Sequence, residues 1–146
     1  MLQASAAPRG GDDEDVRRPA WQWVGFGAVA ILTAWLPLSA LVGLLGSKLA
    51  GGSEADPARV ARAGAAIVGM HVVALALAAF GGGFIVGRWG GSGVGVRAAG
   101  LAGLVAGLAA VTIASVASGV SPWAFSIVAI SLPAAAAGGW RGMTAR

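Results

Sequence analysis

His71 is the only histidine of the chain, and the chain has no cysteine. An imidazole can move a proton or ligate a metal near neutral pH, but both chemistries need company. A zinc site takes three or four ligands, and a hydrolase needs an acid to orient its base. The acids are Asp12, Asp13, Glu14, Asp15, Glu54 and Asp56, and no Asp or Glu follows Asp56. Lys48 and Glu54 read as a solvated charge set in a loop. The residues therefore predict a noncatalytic protein with no metal and no cofactor.

The other stretch that invites chemistry is GGSGVGVR, residues 90–97. Glycine-rich loops cradle phosphates when a strand precedes them, a Lys-Ser/Thr pair closes them and an acid stands near for magnesium or ribose. None of these conditions is met. The stretch reads instead as a flexible hairpin between two apolar segments. Arg88 and Arg97 flank it and are candidate contacts for an anionic lipid headgroup.

These residues must be held by apolar elements. The 146 residues are 57% hydrophobic and only 11% charged, against about 25% charged in ordinary soluble domains. Four apolar runs, at about 21–46, 63–87, 98–117 and 122–140, approach the roughly 20 residues a spanning helix needs. Lipid offers the backbone no hydrogen bonds, so each run is expected to be helical. Asp56-Pro57 supplies an N-cap and a first-turn proline for the second helix. The predicted fold is all-α: an integral membrane antiparallel four-helix bundle over residues 21–146. A disordered acidic tail over residues 1–20, with no signal-peptide pattern, precedes it.

Charge and aromatic placement predict the orientation. Trp21, Trp23, Trp89, Trp123 and Trp140 stand at run ends, where amphipathic rings suit the headgroup layer, and Trp35 alone lies mid-run. The N-terminal segment, second connection and C-terminal segment hold Arg9, Arg17, Arg18, Arg88, Arg97, Arg141 and Arg146. The opposite side holds Lys48, Arg59 and Arg62. The excess places both termini in the cytoplasm of a multi-pass protein of the inner (plasma) membrane. The formal charge of +4 is not gathered into a basic stripe, so nucleic acid is not an expected partner.

Small residues are the expected means of helix association, because apolar burial does not drive helices together in lipid. Ala79, Gly83 and Gly87 form one ladder spaced by four, and Ala99, Gly103 and Gly107 form another. The short connection between their helices, Arg88 to Arg97, suggests that the two helices are antiparallel neighbours. Pro37 and Pro133 lie inside the first and fourth runs, where each removes a backbone donor and favours a kink. His71 shares a helical face with Gly64, Ala74, Ala78 and Gly82. Ser39, Thr112, Ser115 and Ser126 fall at a comparable depth, which makes a polar layer around His71 a candidate feature.

The segment GGGFIVGRWGG and the glycine-rich run after it resemble the YrzE-like family of small four-span bacterial membrane proteins. In that family a glycine-rich helix ends in Gly-Arg before a short turn. The likeness covers about residues 80–107 and centres on Gly83, Gly87, Arg88, Gly103 and Gly107. It implies a four-span membrane fold and brings no catalytic residue. GGGFIVGRWGG is also echoed by AAAAGGWRGM at the end of the fourth run, as the shared pattern of cytoplasmic helix ends. The functional expectation is an integral membrane protein that acts by helix packing with itself or a membrane partner, in contact with the lipid bilayer. The alternative is a small transporter or channel subunit built around the His71 layer.

Overall fold

The computed structural model describes residues 19–50, 56–90, 95–118 and 123–145. The expected acidic tail and the centre of the 90–97 hairpin lie outside these residues. The described residues form four helices: α1 (Ala20–Ala50), α2 (Pro57–Trp89), α3 (Gly95–Ser118) and α4 (Trp123–Thr144). Each is longer than its apolar run, because polar flanks continue the helix past the greasy stretch. α2 gains most. The Asp56 side chain accepts from the backbone N–H of Ala58 at 3.2 Å, and Pro57 opens the first turn. This satisfies an otherwise orphaned donor and starts the helix at Pro57, ahead of the apolar run expected from about residue 63. The far end closes where the Gly90 N–H donates to the Val86 carbonyl at 2.7 Å.

The helices pack into one bundle. α4 lies against α2 and α3, α1 lies against the same two, and α1 and α4 do not meet among the described residues. The most extensive contact joins α2 to α4, followed by α3 to α4; α2 and α3 touch least. The register can be read from glycines that have no room for a side chain. A Cβ on Gly83 would lie 2.9 Å from Ala135 Cα, and one on Gly87 would lie 2.8 Å from Gly139 Cα. Partner numbers thus rise together along α2 and α4. Along α3 they fall: Gly103 meets Ala135 and Ser131, whereas Gly107 meets Ser131 and Val128.

The distribution of bulk is the reverse of a soluble core. Buried positions are mostly alanine: Ala28, Ala78, Ala79, Ala102, Ala106, Ala110 and Ala135 surround Ile31, Trp35 and Leu75. Ile31, Leu75, Val86 and Ser131 are the largest side chains that are fully buried. The bulky residues point outward, as at Leu44, Leu77, Leu108 and Val116, where Val116 is 85% exposed. Spacing by three and four directs small residues to one face of α3, at Ala99, Ala102, Gly103, Ala106 and Ala110, and leaves Leu101 and Leu108 on the other. By length and composition, α1, α2 and α3 can each cross a membrane. The second half of α4, AAAAGGWRGMT, trades bulk for small residues and an arginine.

Candidate functional site

The closest helix contacts concentrate on α4. The Gly83–Gly87 face of α2 rests on the backbone of Ala135 and Gly139. In return, Gly138 of α4 rests on the Phe80 carbonyl and Phe84 N–H, and Gly142 rests on Phe84 and Arg88. The Gly103–Gly107 face of α3 receives Ser131, and Gly139 comes close to Ala99. Backbones this close gain dispersion contacts over their full length without ordering long side chains. Ala79 and Ala99, the remaining members of the expected ladders, are both fully buried.

α2 and α3 are in contact, as neighbours joined by a short connection, and both ladders also meet α4. At the 88–97 connection α2 and α3 come close, where a Cβ on Gly95 would lie 3.5 Å from the Gly87 Cα, and α4 presents matching small faces to both helices. Those faces are Ser131, Ala135 and Gly139, with Gly138 and Gly142 beside them. The signal was present in the echo between GGGFIVGRWGG and AAAAGGWRGM, since these two segments are the ones that touch. Sequence reasoning passed over Ser131, which is fully buried where α4 crosses α3. Its hydroxyl donates to the Val128 carbonyl of its own helix at 3.1 Å, so burial leaves that donor satisfied.

Three members of the candidate polar layer bond to backbone carbonyls. His71 is half-buried, and its Nδ1 lies 2.9 Å from the Ile67 carbonyl. A carbonyl only accepts, so Nδ1 carries the proton in that bond. The hydroxyls of Ser39 and Thr112 also turn to their own helices, donating to Leu36 O at 2.8 Å and to Leu108 O at 2.9 Å. Thr112 is exposed, whereas Ser115 and Ser126 are half-buried. The backbone bonds of His71, Ser39 and Thr112 hold these three groups on their own helices. Among the described residues no three His, Asp or Glu side chains gather as metal ligands.

Pro37 and Pro133 lie within α1 and α4, and both are exposed. Two residues before Pro37, Trp35 is 7% exposed, and its indole N–H meets no acceptor among the described residues.

One end of the bundle collects the aromatic and cationic residues. The start of α1, the end of α2, the start of α3 and the end of α4 converge there. A Cβ on Gly90 would meet the Trp23 ring at 3.6 Å, and one on Gly139 would meet the Gly95 carbonyl at 3.1 Å. Trp21, Trp89 and Trp140 are 71%, 66% and 57% exposed, a ring of indoles at one level. The two flanking arginines behave differently. Arg88 donates through Nη1 to the Ala145 carbonyl just past α4, where a cation satisfies an orphan acceptor and meets the negative end of the helix dipole. Arg97 is exposed and makes no hydrogen bond or ion pair among the described residues. It stands at a groove of about 490 Å³ between α1 and α3.

Comparison with protein-family models, with curated proteins and with solved structures finds no match to this chain.

Proposed function

We propose that the protein is an integral membrane protein that crosses the bilayer four times as an antiparallel bundle, with both termini in the cytoplasm of a bacterial cell. Its role is noncatalytic and rests on helix packing with itself or with a membrane partner. The single observation that carries this reading is the inverted distribution of bulk, with alanine and glycine inside and leucine, valine and phenylalanine outside. In water that surface would be an aggregation liability; in hydrocarbon it is the expected exterior. The tryptophan and arginine ring at one end supports an interface there, and the excess of arginine on that end supports its cytoplasmic placement. α4 enters as a span because α2 and α3 grip it along its length. The likeness to the YrzE-like family fits this reading and adds no activity to it.

The test is extraction. Membranes from cells expressing the protein are washed with alkaline carbonate and then with mild detergent. The reading expects the protein to stay with the membrane in carbonate and to leave it only with detergent. Recovery as a monodisperse species in detergent-free buffer would overturn it. The transporter reading has weaker support, because Ser39 and Thr112, two of the four hydroxyls proposed to surround His71, bond within their own helices.

A further inference from the structure

The groove beside Arg97 has the chemistry of a phospholipid, cation at one end and hydrocarbon along the rest. Arg97 opens it, Trp21 stands at the rim, and Val24, Ala98, Leu101 and Val105 form the walls. From Arg97 to Val105 the wall follows α3 for eight residues, about 12 Å at roughly 1.5 Å per residue. Every wall residue is apolar, so a small soluble anion would leave most of the groove unused. Among the described residues Arg97 is also the arginine of the hairpin without a protein acceptor, whereas Arg88 is occupied by the end of α4. A free guanidinium offers a fork of donors matched to phosphate oxygens, and an indole at the same level suits the headgroup boundary.

We propose that this groove is a binding site for an anionic phospholipid, with the phosphate on Arg97 and one acyl chain lying along Leu101 and Val105. The proposal rests on the membrane reading above and adds to it a defined lipid on a defined face. A second groove, between the ends of α2 and α4, has Arg141 at its rim and the Phe80 and Phe84 rings in its wall. Those two rings span a single helical turn, too short to hold a chain as α3 does.

The test is native mass spectrometry of the full-length protein in mild detergent, titrated with phosphatidylglycerol or phosphatidylcholine. The wild type is expected to take one phosphatidylglycerol in preference to phosphatidylcholine. Arg97→Gln should weaken the phosphatidylglycerol adduct roughly fivefold, the worth of one basic residue at an anionic surface, and leave phosphatidylcholine unchanged. Val105→Phe should weaken both lipids by filling the groove; Val105 is 47% exposed, so the larger ring has room outside the core. Arg141→Gln should keep the preference.

Equal binding by Arg97→Gln and wild type overturns the proposal, as does equal loss in Arg97→Gln and Arg141→Gln. Competition by inorganic phosphate, with Val105→Phe unaffected, shows a plain anion site and also overturns it. So does binding that appears only once Asp12, Asp13, Glu14 and Asp15 are neutralised, since the chain's own acids would then occupy Arg97. A protein that needs detergent yet shows no dependence on Arg97 removes the lipid site alone. A protein that is monodisperse without detergent removes the membrane reading as well.

Discussion

Gly87 of α2 and Gly139 of α4 approach backbone to backbone, so closely that neither the Gly139 Cα nor its carbonyl leaves room for a methyl group on Gly87. One turn earlier Gly83 stands in the same relation to Ala135. The two pairs together form a seam in which each helix fills the space that the other leaves by lacking side chains. Without water to drive association in lipid, this fit is the main attraction available to the helices.

Valine at Gly83 or Gly87 is therefore expected to separate α2 from α4. Overpacking a well-fitted contact costs about 1–3 kcal/mol, and backbone that cannot yield puts these sites at the upper end. Gly25 and Gly43 have nothing within 4 Å of a built Cβ. Alanine there should be neutral or stabilising, by up to about 1 kcal/mol from helix propensity. Detergent-denaturation midpoints of the four variants check this. Equal midpoints for Gly87→Val and Gly25→Ala would remove the seam.

The inverted core makes a second prediction from two leucines a half-turn apart. Leu75 is 1% exposed and Leu77 is 65% exposed. Leu75→Ala is expected to cost about 2–5 kcal/mol, as a cavity does in a packed interior. Leu77→Ala should stay within about 0.5 kcal/mol, in the range of substitutions away from packed contacts. Reversible unfolding in mixed micelles measures both, and an equally large loss at Leu77 would mean that its face is covered by protein.

Trp35 supplies a third test, because its ring is packed but its indole N–H has no acceptor among the described residues. A buried unsatisfied donor costs about 1–3 kcal/mol. Trp35→Phe removes that donor and most of the ring remains, so the loss of stability should be under about 1 kcal/mol. Trp35→Ala should cost about 3–5 kcal/mol. If phenylalanine is as damaging as alanine, the indole N–H is being used.

His71 bonds to the backbone of its own helix, so His71→Ala should leave the bundle folded, with a loss under about 1 kcal/mol. The check is the same unfolding assay, together with proton-coupled uptake in liposomes. A folded variant that loses such uptake would revive the transporter reading and place His71 at its centre.

The helices were legible in the sequence because their signals are local: apolar length, the Asp56-Pro57 cap and tryptophans at the run ends. Three of the four are long and apolar enough to span a membrane, and the fourth is rich in alanine and glycine. Those same small residues make α4 the helix that both ladders contact. Partner choice was illegible because ladders spaced by four occur on several faces of a chain with 25 glycines, and spacing alone does not say which two meet. The difference between Arg88 and Arg97 was hidden for a related reason. Both flank the same hairpin, and only the position of the α4 end decides which one has an acceptor.

The most direct test of the account is a topology map of the whole chain in living cells. Fusions report from each terminus, and single cysteines, introduced into this cysteine-free chain at Ser53, Ser92 and Ser121, are labelled with a membrane-impermeant reagent. Four crossings predict that both termini and Ser92 are protected in intact cells, whereas Ser53 and Ser121 are labelled from outside. Termini on opposite faces, or Ser121 on the same side as Ser92, would contradict the account.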